Sequence, residues 1–414
     1  MSSPRILGMV MAGGKGERLV PLTRDRGKPS VPFGGRYRIV DFVLSNLINS
    51  GILSIYALVQ YRSQSLIEHL RVGWQHTGLL PNQFIAVVPP QMRWQEDVWY
   101  RGTADAVSQN LNLIWDFEPD LVAVFGADHI YRMDIAQMVR FHLERKADVT
   151  VAALPVPLDR ASTFGIIEAD REGRIQAFVE KPARPKPILG DPSRAFSSMG
   201  NYLFNVDVLT KTLEEDARRS TAHDFGWTIL PSLAKKAKLY AYNFLDNQVP
   251  GVRSYEEPGY WRDVGTIQSY WQTNMDLLGA KPLFDLSNPL WPIHAAGLDL
   301  PGAQLEQSDV DDALLGEGCH LQGATVRHSV FGRGVIVEEG AVVEDSVIMD
   351  YTVIRRGARV RNAIVDRFNT IESGQSIGYD PSKDQTVYYV DASGIVVVPR
   401  GPRRRYPETP RATA

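Results

Sequence analysis

Cysteine is almost absent from this chain, since its 414 residues include only Cys319. One cysteine cannot form an intramolecular disulfide, so we expect the reducing environment of the cytoplasm. Long apolar runs are missing as well: none approaches the ~20 residues of a membrane span. No apolar signal core follows Met1. The formal net charge is -3, which gives no basis for a general attraction to nucleic acid or membranes.

Signatures of nucleophilic and zinc chemistry are also lacking. The eight histidines are scattered without ligand spacing, and no Cys/His set suits zinc. No serine- or cysteine-based triad is recognisable, and we interpret His129 and His223 as structural residues. What is present is a composition of 44% hydrophobic and 22% charged residues, typical of a globular protein. The length allows two domains with separate cores.

The strongest local signal lies near the start of the chain. Residues 6–11 form an apolar run that predicts a buried parallel strand. The loop after it contains three glycines and is accompanied by three cations: Gly13, Gly14 and Gly16, with Lys15, Arg18 and Lys28. Glycines let a backbone approach a ligand closely, and cations neutralise phosphate, so the loop predicts a polyphosphate cradle. A solvated strand–loop turn is the alternative.

Two common phosphate-binding patterns do not fit this loop. Gly-x-Gly-x-x-Gly would need glycine where Leu19 stands, and the P-loop pattern is broken because Pro29 follows Lys28. Neither pattern therefore accounts for the loop, and the prediction of a phosphate site depends on the placement of Lys15, Arg18 and Lys28.

Alternating strands and helices extend from residue 5 to about 275. The predicted helices cover 40–50, 64–72 and 103–115, and the predicted strands 55–59, 84–88 and 121–125. This order predicts an α/β domain with a Rossmann-like, mostly parallel sheet. Ligands of such sheets bind beyond the carboxyl ends of the strands. We therefore expect the glycine loop, Gln60 and Asp128 to converge there.

Acidic residues at strand ends suggest a metal site. Asp128 follows a buried strand, and Asp263 lies in a Tyr-Trp-Arg-Asp-Val-Gly-Thr stretch. Magnesium prefers one or two carboxylates together with phosphate oxygens. A helix cap is the alternative for each aspartate.

Two further stretches suit a sugar phosphate or a nucleotide. Glu180 and Lys181 precede Pro182 at a strand end, where they are suited to sugar hydroxyls and a monophosphate, although a surface pair is the alternative. An aromatic and basic loop, residues 93–102, leads into a helix that begins near Thr103, a candidate N-cap and phosphate contact.

The last third of the chain carries a six-residue repeat. Aliphatic residues recur at Val330, Ile336, Val342, Ile348, Ile354 and Val360, then after a slip of one at Val365, Ile371 and Ile377. Small residues precede most of the first series by two positions: Gly334, Gly340, Ser346, Thr352 and Ala358. The pattern predicts a left-handed parallel β-helix with three hexads per coil. An ordinary β-sheet domain is the alternative.

These patterns divide the chain into four parts. We expect the Rossmann-like α/β domain that carries the candidate site at 1–280, a proline-rich connector at 281–301, the β-helix at 302–398 and an arginine-rich tail at 399–414. The tail is interpreted as a solvated end. An anion contact at a subunit interface is its alternative.

Nine stretches together resemble the sugar-nucleotide pyrophosphorylases, and within them the bacterial glucose-1-phosphate adenylyltransferases. They are residues 11–19, 28–29, 33–35, 99–106, 126–131, 180–182, 198–200, 223–226 and 260–266. Residues 99–106 and 260–266 resemble the adenylyl branch in particular. The resemblance covers nearly the whole chain, including the β-helix. It implies adenylyl transfer from ATP to α-D-glucose 1-phosphate with Mg²⁺, the committed step of glycogen synthesis, by a cytoplasmic homotetramer.

The resemblance also implies roles for individual residues. The implied catalytic residues are Lys15, Arg18, Lys28 and Asp128, and the implied Mg²⁺ ligands are Asp128 and Asp263. The implied substrate-binding residues are Tyr100, Gly165, Glu180, Lys181, Ser198, Asp224 and Trp261. The implied nucleotide-binding residues are Gly13, Gly14, Gly16, Gln60, Gly102 and Thr103.

One departure from the family concerns regulation by anionic metabolites. Asp25 stands where some enterobacterial relatives carry a lysine tied to activation by fructose 1,6-bisphosphate. Arg24, Arg26 or the tail are then the candidate contacts for a regulatory anion. Fructose 6-phosphate and pyruvate are as credible as activators as fructose 1,6-bisphosphate is.

Two other functions stay open. One is a transferase for another pair, such as GTP with mannose 1-phosphate or dTTP with glucose 1-phosphate. The other is a non-catalytic regulatory subunit, which the retention of Arg18, Asp128 and Lys181 disfavours.

Overall fold

A computed structural model describes residues 4–74, 83–90, 99–297 and 300–402. Two parts of the sequence predictions, Arg93 and Trp94 of the aromatic loop and the tail beyond residue 402, lie outside these ranges. Within them, no helix combines the length and the apolar character needed to cross a membrane.

The first part of the chain alternates strands and helices as predicted. Its strands are β1 (Ile6–Ala12), β2 (Pro32–Phe33), β3 (Tyr37–Arg38), β4 (Ser54–Val59), β5 (Phe84–Val88), β6 (Leu121–Gly126), β7 (His129–Tyr131), β8 (Val149–Pro157), β9 (Gly165–Ala169), β10 (Ile175–Glu180), β11 (Arg194–Asn205), β12 (Leu239–Asn243) and β13 (Trp261–Asp263). Its helices are α1 (Ile39–Asn49), α2 (Gln64–Gly73), α3 (Thr103–Ser108), α4 (Leu111–Phe117), α5 (Ile135–Glu144), α6 (Val206–Ala217), α7 (Leu230–Leu233) and α8 (Ile267–Met275).

The helix predicted over 103–115 is divided into α3 and α4. Asn110 lies at the break, and its side-chain amide donates to the carbonyl of Ala106 at 2.8 Å and to the hydroxyl of Tyr100 at 3.0 Å. An asparagine that bonds the local backbone competes with the helical ladder, which explains the interruption.

The main sheet has a parallel centre. Strands β5, β4, β1 and β6 run parallel in that order, and β11 joins β6 antiparallel. Both faces of β1 are covered: Leu7 and Met9 pack in one core, Val10 and Ala12 in the other. Full burial on two faces explains the continuous apolar run in the sequence. The α/β prediction is confirmed.

The register of these strands places three loop starts side by side. Ala12 of β1 is opposite Val59 of β4, and Met11 is opposite Gly126 of β6. The segments that follow the three strands therefore leave the sheet at one edge, as the parallel order requires.

The second part is a parallel β-helix. Its strands are β14 (Gln304–Glu306), β15 (Asp309–Leu315), β16 (His320–Gln322), β17 (Thr325–Phe331), β18 (Ile336–Val337), β19 (Val342–Glu344), β20 (Val347–Ile348), β21 (Val353–Ile354), β22 (Arg359–Arg361), β23 (Ala363–Val365), β24 (Thr370–Ile371), β25 (Ser376–Ile377), β26 (Tyr389–Val390) and β27 (Val396–Val398), with helix α9 (Pro381–Val387). Successive coils pair in parallel, which confirms the predicted fold class.

The predicted hexad register is wrong at three positions, Val330, Ile336 and Val342. Val330 packs in the core shared with the first part of the chain, whereas its neighbour Phe331 packs inside the β-helix. Phe331 pairs with Ile348 and Ile348 with Val365, so each of these coils takes 17 residues rather than three full hexads. One side of each such coil is therefore five residues long, and the inward position moves by one. Ile336 is 40% exposed and Val342 is half-buried, while their neighbours Val337 and Val343 are fully buried.

The β-helix packs directly on the first part of the chain. Leu19 and Phe33 share one apolar core with Val330, Val347 and Ile364 of the β-helix. Burial of this shared surface is favourable by about 25 cal/mol per Å². The two parts therefore stabilise each other.

The connector and the single cysteine are both partly or fully buried in the fold. Phe284, Trp291 and Ile293 in the connector are buried, although no helix or strand is formed in its described residues. Cys319 is buried inside the β-helix, where its thiol donates to the carbonyl of Gly332 at 3.0 Å. Burial raises the pKa of this thiol to about 11.

Candidate active site

A cavity of about 910 Å³ opens at the edge of the sheet where β1, β4 and β6 end. Its lining contains most of the predicted site residues: Gly13, Gly14, Lys15, Gly16, Arg18, Lys28, Gln60, Tyr100, Gly102, Thr103, Asp128, Glu180 and Asp224. The other predicted residues are not part of that lining: Gly165, Lys181, Ser198, Trp261 and Asp263. The strand ends therefore converge, and residues distant in sequence meet in one space.

Lys28 lies between the two predicted metal ligands. Its Nζ is 2.7 Å from Oδ1 of Asp263 and 3.1 Å from Oδ2 of Asp128, and its side chain is only 7% exposed. Burial alone would lower the pKa of Lys28, but the two carboxylates outweigh burial and hold that pKa above its ordinary value. Lys28 is therefore protonated and paired with both carboxylates at the floor of the cavity.

Asp128 and Asp263 meet because of a small second sheet. Strand β13 pairs antiparallel with β7, and this register places Asp263 opposite His129, beside Asp128. Potential ligand atoms of these three residues lie within 4.8 Å of one another. Desolvation raises the pKa of Asp128, but His129 and Lys28 hold it well below its usual range, so the carboxylate is ionised. Two carboxylates at this spacing suit a hard divalent cation.

His129 is a feature of the site that the sequence reasoning missed. Its ring stacks on Trp261 with centroids 4.6 Å apart, and its Nδ1 is 3.3 Å from Oδ1 of Asp128. This nitrogen is buried and has no hydrogen-bond partner among the described residues. Its position directly after Asp128 was the available signal. Trp261 packs behind His129 and against Phe164, so it supports the wall of the cavity from outside.

The glycine loop holds its cations in different ways. Gly16 has a φ of +64°, and a Cβ there would lie 3.0 Å from the Cβ of Lys28, so glycine is required for this turn. Arg18 is 72% exposed and approaches Asp263 only at 3.8 Å, while Lys15 is exposed beside Glu17. Arg18 and Lys15 are therefore available to an anionic ligand in the cavity.

Gln60 fixes the loop before α3. Its amide nitrogen donates to the carbonyl of Tyr100 at 3.2 Å, and its amide oxygen accepts from the N–H of Tyr100 at 2.7 Å. A Cβ on Gly102 would overlap the carbonyl oxygen of His223. That same carbonyl accepts from the backbone of Ala104, at the start of α3. The His223 ring bonds Asp216 at 2.7 Å, in keeping with its structural interpretation.

Asp224 closes the opposite side of the cavity. One of its carboxylate oxygens accepts from the hydroxyl of Thr103 at 2.8 Å, and the other accepts from the N–H groups of Gly226 and Trp227. Because it joins two segments more than a hundred residues apart, Asp224 organises this wall as well as facing the ligand space.

Glu180 lies next to Asp224 in a space kept open by glycine. A Cβ on Gly165 or on Gly226 would come within 2.6 Å of a Glu180 carboxylate oxygen. Burial raises the pKa of Glu180. Lys181 extends from the rim, more than half exposed, with Nζ 3.5 Å from Glu180. Ser198 is buried behind the wall, where its hydroxyl accepts from the N–H of Gly200.

The two predicted regulatory arginines have different surroundings. Arg24 is exposed, whereas Arg26 is 1% exposed and donates to Oδ2 of Asp366 in the β-helix at 2.6 Å. Nε and Nη1 of Arg26 are buried without a hydrogen-bond partner among the described residues. Arg26 therefore joins the far end of the glycine loop to the β-helix.

Three more arginines lie near Arg26. Burial, together with the charges of Arg26 and Arg38, lowers the pKa of Arg367 to about 9 against the opposing effect of Asp366 and Asp350. Burial likewise lowers the pKa of Arg38 to about 10, with contributions from Arg26 and Arg333 against the opposing effect of Asp350. We call Arg26, Arg38, Arg333 and Arg367 the arginine cluster. Nε of Arg333 and of Arg367 is also buried without a hydrogen-bond partner in the described ranges.

Comparison with known proteins gives consistent results along the chain. The family model "Nucleotidyl transferase" matches residues 7–279, and the model "GlmU-like, C-terminal hexapeptide" matches residues 301–398. The chain is 50% identical over 401 residues to a glucose-1-phosphate adenylyltransferase of Thermodesulfovibrio yellowstonii, covering 97% of both chains. Similar proteins of the same name occur in Anaeromyxobacter dehalogenans (49% identical, 96% and 98% covered) and Corynebacterium jeikeium (45%, 96% and 98%). The chain therefore belongs to the nucleotidyl transferases and, within them, to the glucose-1-phosphate adenylyltransferase family.

Proposed function

We propose that this protein transfers the adenylyl group of ATP to α-D-glucose 1-phosphate, forming ADP-glucose and pyrophosphate as the committed step of glycogen synthesis. One observation carries the proposal: a single cavity brings the cationic glycine loop and Asp128 together with Glu180 and Asp224, and Asp263 lies directly beside Asp128. A triphosphate would bind at the end with the cationic loop, and a sugar phosphate at the end with Glu180 and Asp224. Relatives about half identical in sequence carry the corresponding name.

The chemistry requires no enzyme nucleophile. A phosphate oxygen of the sugar phosphate attacks the α-phosphorus of ATP, the bond to the β-phosphate breaks, and pyrophosphate leaves. Positioning and charge neutralisation then account for most of the rate. Lys15 and Arg18 are exposed cations at the glycine loop, where the leaving pyrophosphate would be bound.

We assign the metal to Asp128 and Asp263. Both are oxygen donors and lie close together, Asp128 in the cavity lining and Asp263 beside it, which fits Mg²⁺ better than a softer ion. Bound there, Mg²⁺ would neutralise charge that develops on the phosphates.

The test of the reaction is a substrate panel. Purified protein is incubated with Mg²⁺, glucose 1-phosphate and each of ATP, GTP, UTP and dTTP, and pyrophosphate release is followed. ATP should be the best donor by at least about tenfold, a preference of roughly 1.4 kcal/mol. Higher activity with another nucleotide, or with GTP and mannose 1-phosphate, would assign the protein to a different transferase.

We assign the phosphate of the sugar to Lys181, next to Glu180 at the rim. Replacing Lys181 by alanine should raise the KM for glucose 1-phosphate about 10- to 100-fold with a smaller change in kcat, because a phosphate–cation contact of the ground state is lost. Lys186→Ala is the matched control, since Lys186 is exposed on the same segment and pairs with Glu168. A change confined to the KM for ATP would contradict the assignment.

We assign anionic effectors to the arginine cluster. Four carboxylates lie beside the cluster, Asp41, Glu317, Asp350 and Asp366, yet several of its buried guanidinium nitrogens lack a hydrogen-bond partner among the described residues. A phosphorylated or carboxylate metabolite would supply the missing acceptors.

Activation should therefore depend on Arg367. In an effector panel of fructose 6-phosphate, pyruvate and fructose 1,6-bisphosphate, Arg367→Gln should raise the half-activating concentration of the effective metabolite at least about tenfold. Arg356→Gln is the control, since Arg356 is an exposed β-helix arginine paired with Glu339. Fructose 1,6-bisphosphate should act weakly because of Asp25. An unchanged response in Arg367→Gln would remove the cluster from regulation.

The last part of the proposal concerns the oligomeric state of the protein and its location in the cell. Leu305 of β14 pairs in register with the buried Leu321 of β16, yet Leu305 is 53% exposed. It is exposed because β14 is the edge strand of its sheet among the described residues, so no further strand covers it. An apolar strand edge of this kind suits contact between subunits. We propose a homotetramer in the cytoplasm, where ATP and sugar phosphates are found. Light scattering should give four times the chain mass of 46.2 kDa.

A further inference from the structure

The metal carboxylates already have a cation between them. The ammonium group of Lys28 is within hydrogen-bond distance of both Asp128 and Asp263, and these two side chains are partly exposed, at 41% and 29%. A divalent ion that used the same two oxygens would have to lie where this ammonium group lies.

The charges at this point are balanced without a metal. The two carboxylates are matched by Lys28 and by Arg18, which approaches Asp263 at 3.8 Å. Adding a doubly charged ion while both side chains stay in place would leave an excess of positive charge at the floor of the cavity. Repulsion of this kind is screened poorly near a buried lysine. A metal therefore binds well only after Lys28 has moved.

The loop assigned to the polyphosphate lies in the same cavity as Lys28. Lys28 lines the cavity together with Gly14, Lys15 and Gly16 of that loop. A lysine carries a flexible stem and three rotatable donors, so it can exchange carboxylate oxygens for phosphate oxygens. A nucleotide in the loop would supply those oxygens and release the two aspartates.

We propose that Lys28 acts as an internal counter-ion that keeps the metal site closed until the triphosphate is bound. Metal and nucleotide then bind cooperatively, and each raises the affinity for the other by the same factor. This inference rests on the proposed function, because it uses the same carboxylates and the same phosphate loop.

The test is Mn²⁺ binding to the protein without nucleotide, measured by the electron paramagnetic resonance signal of free Mn²⁺. Wild type should bind Mn²⁺ weakly, and Lys28→Met should bind it at least about tenfold more tightly, because the competing ammonium is gone. Lys186→Met is the matched control, because Lys186 is an exposed lysine that pairs with Glu168 and is not part of the cavity lining. Asp263→Asn in the Lys28→Met background should abolish the gain, which locates the binding.

A second measurement needs no variant. Mn²⁺ affinity of wild type is compared with and without a non-hydrolysable α,β-methylene ATP analogue, after correction for Mn²⁺ bound to the free analogue. A rise of at least about tenfold is expected. Equal affinities in both states, or equal affinities of wild type and folded Lys28→Met, would overturn the proposal while adenylyl transfer stood. Absence of pyrophosphate release with every nucleotide would instead remove the proposed function, whatever the Mn²⁺ result.

Discussion

Replacing Asp128 by asparagine is expected to lower kcat by at least ~1,000-fold, equivalent to about 4 kcal/mol of transition-state stabilisation. The substitution removes one negative charge from the pair that is assigned to the metal and that now contacts Lys28. Asparagine has nearly the same shape, and the side chain of Asp128 is partly exposed, so the fold should survive. The measurement is pyrophosphate release, with circular dichroism as the check on folding.

A matched control for this variant is Asp159→Asn. Asp159 is exposed and is not part of the cavity lining, so its kcat should stay within about twofold of wild type. Near-normal turnover in Asp128→Asn would show that the carboxylate is not needed for the reaction and would refute the metal assignment.

The second large effect is expected at Gly102. An added Cβ would overlap the backbone carbonyl of His223 and come within 2.5 Å of that of Ala222. Both obstacles are backbone atoms, so neither can rotate away, and the 100–103 loop must separate from the segment that carries Asp224. Gly102→Ala should therefore lower the free energy of unfolding by about 3 kcal/mol. It should also lower kcat/KM about 100-fold through misplacement of Thr103 and Asp224.

Urea unfolding followed by circular dichroism, together with pyrophosphate release, measures both effects. Gly302→Ala is the control, because a Cβ on Gly302 meets no atom within 4 Å and its φ is not in the left-handed region. If Gly102→Ala kept the stability and activity of wild type, the close contact between the 100–103 loop and the segment that carries Asp224 would not be needed for either property.

The parts of the fold that follow local rules could be predicted from the sequence. The apolar run before Gly13 predicted β1, and the strand ends at Gln60 and Asp128 predicted the edge where the cavity lies. Predictions of this kind succeed because buried parallel strands and glycine turns leave a signal within a few residues.

Contacts between distant residues could not be predicted in that way. Lys28 meets Asp128 and Asp263 across 100 and 235 residues of sequence, and no spacing rule relates them. Arg26 and Asp366 are likewise joined by tertiary packing alone. These partners are set by how the sheet and the β-helix pack, which is a property of the whole fold.

The β-helix register failed for a different reason. A repeat of six fits the sequence at Ile336 and Val342, yet the buried positions are their neighbours, because one side of each 17-residue coil is shorter by a residue. Adjacent aliphatic residues, Ile336–Val337 and Val342–Val343, conceal such a shift. The correct register is visible only from which residues pair between successive coils.

The contact between Arg26 and Asp366 limits how this architecture can be recombined. Two residues after Arg26 the same segment supplies Lys28 to the carboxylate pair, and consecutive Cα atoms are only ~3.8 Å apart. A chimaera that received the β-helix of another protein would have to inherit the partner of Arg26 as well, or leave an unpaired buried charge two residues from Lys28. We therefore expect active chimaeras only when the two halves are transferred together.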